Sequence, residues 1–153
     1  MKRRRIAITL ALYISIAMCF AQDVQMGIWK LNEAKSKIGA GAPKNTKVVF
    51  EAAGDGVRVT IDGIGGDGKP THNVWTGRVD GKDYAVTGDP TSDKRSYLAI
   101  DDHTLGLNAR KGGKIIISGR ITVSPDGKTR TVTVSGTDPT GKKFQSTAVY
   151  DRR

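Results

Sequence analysis

The sequence predicts an all-β domain: an antiparallel up-and-down meander closed into a β-barrel of about 8–10 strands, with one short helical turn after the first strand. Three observations predict it. Stretches rich in Val, Ile, Thr and aromatic residues recur at a spacing of about 8–12 residues. Four copies of one turn punctuate them, Asp67-Gly68-Lys69, Asp80-Gly81-Lys82, Asp126-Gly127-Lys128 and Thr140-Gly141-Lys142. Glycine accepts the positive φ of a tight hairpin and aspartate can hydrogen-bond its own backbone two residues on, so the strands either side fold back antiparallel. Finally, almost every connection is short. That makes a meander rather than a Greek key, and a meander this long hides its two edges most simply by closing.

Gly27 to Asn32 reads as the opening strand. Asn32 then caps a helical turn through Glu33 to Ile38, with Gly39 ending it and a Gly/Ala-rich loop running to Lys44. The following strands are expected at Lys47 to Ala52, Gly56 to Gly63, Thr71 to Val79, Asp83 to Thr87, Arg95 to Ile100, Thr104 to Arg110, Lys114 to Val123, Thr129 to Gly136 and Lys143 to Asp151. In the second of these Val57, Val59 and Ile61 alternate with Arg58, Thr60 and Asp62, the period of a half-buried strand. Val132 and Val134 share one face of their strand in the same way, and Asp89-Pro90 acts as a breaker.

Residues 1–21 read as a secretory leader. Lys2, Arg3, Arg4 and Arg5 form a positive segment, Ile6 to Phe20 an apolar run of 15 residues, and Cys19-Phe20-Ala21 a cleavage site after Ala21. A lipoprotein cleavage at Cys19 is the minor alternative. The expected organisation is thus a signal peptide (1–21) and one domain (22–153) in a secreted or bacterial periplasmic protein. The only cysteine lies in the leader, so neither a disulfide framework nor a thiol nucleophile is expected in the domain. The formal charge of +10 falls to +6 once the four leader cations are removed. The remaining cations are scattered in pairs at turns, which does not suit a nucleic-acid groove. Weak contact of the basic turns with anionic lipid or cell-wall polymer is the alternative functional expectation; no protein partner is expected.

Gly27-Ile28-Trp29 resembles the glycine-any-tryptophan triplet that opens the lipocalin and fatty-acid-binding superfamily. Together with Tyr84 to Pro90, Ser124 to Thr129 and Val149 to Arg152, it looks like a group of small, uncharacterised, secreted bacterial lipocalin-like proteins. The resemblance spans most of residues 26–152. It implies a calycin-type barrel with Trp29 packed at the closed end and an apolar molecule admitted at the open one. Two features depart from the fatty-acid-binding pattern. Only 13 residues separate Asn32 from Thr46, too few for a two-helix lid, and Ala148 stands two before Tyr150, where those proteins carry a carboxylate-binding arginine. The helix that usually follows the lipocalin barrel is also not expected, since the last strand runs close to Arg153.

Motifs for chemistry are sparse. Gly63, Gly65 and Gly68 match a dinucleotide-binding spacing but lead into a strand rather than a helix N-terminus, so a hairpin loop is expected there. Asp101, Asp102 and His103 are adjacent in a turn and cannot all converge on one ion; no metal or cofactor is expected. A small barrel enzyme pairing a serine, a threonine or an acid with His72 is a distant third reading. The aromatic residues Trp29, Phe50, Trp75, Tyr84, Tyr97, Phe144 and Tyr150 have two readings. They fill the barrel, as side chains of small barrels commonly do, or Trp75, Tyr84 and Tyr97 line a cavity for a small apolar or amphipathic ligand. Trp29 is structural in both.

Overall fold

The computed structural model describes residues 22–153, and the leader expected at 1–21 lies outside the described residues. Ten strands form one closed antiparallel barrel. They are β1 (Gly27–Leu31), β2 (Lys44–Ala53), β3 (Gly56–Ile64), β4 (Pro70–Gly77), β5 (Tyr84–Thr87), β6 (Lys94–Ala99), β7 (Thr104–Lys111), β8 (Lys114–Val123), β9 (Thr129–Thr137) and β10 (Lys143–Arg152). Each pairs with its sequence neighbours, and β1 pairs with β10 through Trp29 to Arg152, Lys30 to Asp151 and Leu31 to Tyr150. The fold class read from the sequence therefore holds, including the short turn after β1. That turn is a 3-10 helix (Glu33–Lys35) whose Asn32 cap accepts the Lys35 amide at 3.2 Å.

Period-two alternation decides which residues point inward. Val48 and Phe50 of β2, Val57, Val59 and Ile61 of β3, Ile121 and Val123 of β8, and Phe144, Ala148 and Tyr150 of β10 are all buried. The packing is uneven along the barrel axis. Every large, fully buried side chain, namely Trp29, Trp75, Leu105, Ile121, Gln25, Val57, Val59 and Val123, lies in the half where β1 begins and β10 ends. We call this the lower end.

The lower end is plugged by the chain before β1. A helical turn over 22–25 leads into it, Gln25 is fully buried, and its side-chain amide donates to the His103 carbonyl at 3.3 Å. Trp29 donates its indole N–H to the Gln25 carbonyl at 2.9 Å. The Arg152 guanidinium lies 4.2 Å over the Trp29 ring and donates to the carbonyls of Met26, of Val24 at 2.8 Å and of Gly127 at 2.6 Å. One side chain from the last strand thus ties the N-terminal plug, the first strand and the β8–β9 turn together.

Three of the four turns use the aspartate as expected: Asp67, Asp80 and Asp126 each accept the amide two residues on, at 3.0 Å. The fourth draws its aspartate from two residues earlier than the repeated triplet, Asp138, which accepts the Thr140 and Lys142 amides at 2.9 Å. The Asp80 copy is not a tight hairpin. The 78–83 segment leaves β4 and lies along β6, with the Gly81 amide on the Tyr97 carbonyl at 2.8 Å and Asp80 bridged to Leu98. Burial of Val79 at the lower end draws the segment there, so β4 ends at Gly77 rather than at Val79.

Arg152→Ala removes three charge-assisted donors and one stacking partner of Trp29. Discounted for partial exposure, the expected loss is about 2 kcal/mol of unfolding free energy. Urea unfolding followed by tryptophan fluorescence measures it, and a change under about 0.5 kcal/mol would show that the tie is dispensable.

Candidate functional site

At the upper end small inward side chains, Ala109, Ser146 and Ala148, interrupt the larger apolar ones, and space opens between them. An inner chamber of about 110 Å³ is enclosed by Ile61, Tyr97, Ala109, Val132, Ala148 and Tyr150, among others. Above it a depression of about 400 Å³ is lined by Ile116, Pro139 and the β9–β10 turn. The two share Pro43, Gly65, Pro90, Thr91, Ile117 and Phe144, so the depression is the mouth of the chamber. The segment after the 3-10 turn straps across this end. Lys37 pairs with Thr147, the Gly39 amide donates to the Ser146 hydroxyl at 2.9 Å, and Ala42 is buried. Glycine is required at 39 because a Cβ there would stand 2.4 Å from the Gln145 carbonyl oxygen.

A buried ion pair forms part of the chamber wall. Arg95, inward on β6, donates through Nη2 to Asp89 at 3.3 Å and to the Asn73 side-chain oxygen at 3.2 Å; its side chain is 7% exposed. Its Nη1 is buried with no hydrogen-bond partner. Asp89 sits in the β5–β6 loop just after Gly88, whose φ of +83° and approach to the His72 carbonyl exclude a side chain. The Asp89 carboxylate accepts the Thr91 and Ser92 amides at 2.8 and 3.2 Å and both hydroxyls at 2.8 and 2.5 Å. Desolvation pushes its pKa up, but the Ser92 and Thr91 hydrogen bonds, with the charge of Arg95, outweigh it and hold the carboxyl below its ordinary value. Asp89 is therefore ionised and saturated, whereas Arg95 is not.

A second arginine lies deeper. Arg130 on β9 is 2% exposed, stands in register with Tyr150, and its guanidinium lies 4.4 Å over Phe50 and 5.9 Å over Trp29. Neither Nε nor Nη1 has a hydrogen-bond partner. Desolvation lowers its pKa to about 10, so the group stays charged at neutral pH, and burial pushes Tyr150 up to about 12. The Tyr150 hydroxyl donates to the Asn45 carbonyl at 3.0 Å, beside the β2 register shift between Asn45 and Lys47.

The three aromatic residues expected from sequence to line a cavity, Trp75, Tyr84 and Tyr97, form one cluster, but of these only Tyr97 meets the chamber. Trp75 stacks edge-on with Tyr84 (5.7 Å) and Tyr97 (4.7 Å), and its indole donates to the Arg95 carbonyl at 2.8 Å. Tyr97 lines the chamber; Trp75 is sealed in the packed half, and Tyr84 reaches Asp80 with its hydroxyl at 2.8 Å. Trp29 packs the plugged end. Arg95, Asp89, Asn73 and Arg130 were missed, although Arg95 shares the parity of Tyr97, and Arg130 that of Val132 and Val134. That parity was the available signal.

The other sequence features disperse. Lys69 and Lys142 lie in upper turns, Lys82 and Lys128 in lower ones, so no single face gathers the four. His72 is on the exposed outer face, its Nδ1 2.5 Å from Asp62 across β3 and β4. The glycine spacing at 63–68 falls at the end of β3 and in the β3–β4 hairpin loop. Among the described residues no group of three or more His, Cys, Asp or Glu is placed to hold a metal ion, Asp101, Asp102 and His103 included.

Two outcomes follow for the buried charges. Because the Asp89 pKa is depressed, its charged form stabilises the barrel above pH 3.8, the ordinary value, and that contribution is lost as pH falls below 3.8 through the native value. Asp89→Asn, which strands Arg95, is expected to cost about 3 kcal/mol at pH 7 and to flatten the acid limb of a stability-against-pH curve; an unchanged limb would reject the assignment. Arg130→Met removes a desolvated charge for the loss of its aromatic contacts and is expected to stabilise by about 1 kcal/mol in urea unfolding. A loss exceeding about 1 kcal/mol would mean that the guanidinium is compensated. In comparisons with known proteins, no family model matches this chain and no curated protein matches it.

Proposed function

We propose that this protein is an exported lipocalin-like barrel that holds a small apolar or amphipathic molecule at its upper end, without covalent chemistry. The observation that carries the reading is the asymmetry of the interior. One half is packed solid around Trp29, Trp75 and Leu105, while the other keeps a chamber of about 110 Å³ that continues into a mouth of about 400 Å³. The chamber alone is smaller than the roughly 150 Å³ that holds a benzene molecule in an engineered cavity. With its mouth it enters the lower part of the roughly 300–1,000 Å³ range of ligand pockets. Apolar walls with a few convergent polar groups are the usual composition of such sites, and Ile61, Val132 and Phe144 beside Arg95 and Asn73 match it. The charged leader and apolar run at 2–20 support export.

A native mass spectrum of the protein purified gently from a bacterial periplasm tests this. The expected result is a bound species of a few hundred daltons that is lost on denaturation. It should also be lost in Ala148→Phe, which fills the chamber from β10. A bare mass from every source, together with calorimetry showing no uptake of apolar probes, would overturn the reading.

A further inference from the structure

We propose that the upper end of the barrel docks on an anionic lipid bilayer, with the lysines around the mouth against the headgroups and Ile64, Ile115 and Pro139 in the interfacial layer. The inference goes beyond the ligand-holding reading and stands whether or not the chamber is filled.

Charge is divided unevenly between the two ends. The turns and strand ends around the mouth carry Lys69, Lys94, Lys111, Lys114, Lys142 and Lys143, all exposed. Among the described residues none of these lysines is in an ion pair. Against them stand Asp67, Asp93 and Asp138. Each of these carboxylates is turned to a backbone amide, that of Lys69 at 3.0 Å, of Gly112 at 3.0 Å and of Lys142 at 2.9 Å respectively, while the lysine side chains are left to solvent. Other charges of this end cancel in pairs, Arg95 with Asp89, Arg110 with Asp83 and Lys44 with Glu33. Asp62 lies beside His72 on the outer wall, and the helical turn and strap add Lys35 and Lys37. At the lower end Asp55, Asp80, Asp101, Asp102 and Asp126 balance Arg78, Lys82, Lys128, Arg152 and Arg153. Most of the domain's positive excess therefore surrounds the mouth, and a charge so placed turns that end toward an anionic surface.

Charge alone would suit any polyanion, and the exposed apolar residues select a bilayer. Ile64 closes β3 and Ile115 follows Lys114 at the start of β8; both are exposed, and their chain neighbours Gly65 and Ile116 line the mouth. Pro139 is exposed in the β9–β10 turn and lines the mouth as well. Apolar side chains rimmed by lysines gain twice at an anionic interface, from burial of apolar area and from attraction to the headgroups. A hydrated polymer supplies only the second. The other exposed large apolar side chains, Ile28, Leu98 and Ile100, lie in the lower half. There Asp101 and Asp102 follow Ile100 directly and Asp80 is bridged to Leu98, so the same surface repels them.

Sedimentation of the purified protein with vesicles of equal parts phosphatidylglycerol and phosphatidylcholine, and with vesicles of phosphatidylcholine alone, tests the docking at low ionic strength. Binding is expected to be about tenfold or more tighter to the anionic vesicles and to be released by salt. Lys114→Glu at the mouth should weaken it about tenfold, whereas Lys128→Glu, the same charge change at the lower end, should alter it less than about twofold. Replacing both Ile64→Ser and Ile115→Ser should weaken vesicle binding about fivefold and leave binding to dextran sulfate, a soluble polyanion, unchanged. Equal binding to the two kinds of vesicle, no binding to the anionic ones, or equal losses from Lys114→Glu and Lys128→Glu would overturn the proposal. So would vesicle binding indifferent to the isoleucine substitutions, which would assign the surface to a soluble anionic polymer. Should the double isoleucine variant fail to fold, which far-UV circular dichroism reports, the two lysine variants and the vesicle comparison still decide.

Discussion

The barrel depends on a seam of three residue pairs, Trp29 with Arg152, Lys30 with Asp151 and Leu31 with Tyr150. All other seams join strands that are consecutive in the chain, and this one joins its two extremes. Without it β1 and β10 would each present a row of unpaired backbone groups, the situation that invites edge-to-edge association. The seam is short because β1 has only five residues, so its security comes from side chains. Arg152 covers Trp29 and reaches the carbonyls of the plug and of the β8–β9 turn, converting three separate segments into one closed end. Loop-closure entropy makes this the contact that local structure helps least.

Plugging one end decides what the other end can be. Tryptophan, leucine and valine side chains saturate the lower half, where the N-terminal turn also seals off solvent. In the upper half Ala109, Ser146 and Ala148 stand at inward positions and the walls cannot meet. The strap over 36–43 partly covers the gap and is pinned by the Lys37–Thr147 bridge and the Gly39–Ser146 hydrogen bond. Stability is thereby concentrated in one half, and the space for function is left in the half that contributes less packing.

The two buried arginines belong to different solutions of the same problem. Desolvating a guanidinium is expensive unless hydrogen bonds and a counter-charge replace water. Arg95 has both, from an aspartate itself locked by a Thr-Ser turn. Arg130 has aromatic faces and two tyrosine neighbours, which supply attraction without neutralisation. The fold thus keeps a net positive charge inside the barrel, at Arg130 against Phe50 and Trp29.

Secondary structure and topology were legible because they rest on local chemistry. Alternation at 57–61 and 132–134, Asx turns at Asp67 and Asp126, and the Asn32 cap each act within a few residues, and short connections between antiparallel strands leave a meander little alternative. The Asp80 turn escaped that logic because burial of Val79, a long-range effect, drew its segment onto β6. The site was legible only in part. Tyr97 was chosen for its chemistry and does line the chamber, but Trp75 shares the inward orientation and differs in depth, a coordinate along the axis that period-two patterning does not carry. Arg95 and Arg130 occupy inward positions too, yet whether an inward arginine meets an aspartate or only aromatic rings depends on which strands lie opposite. What the amino-acid sequence by itself determined is therefore the barrel and its order of strands. Only the tertiary structure decided which end is packed, which is hollow, and where the unpaired charge sits, because those follow from side chains brought together across the barrel.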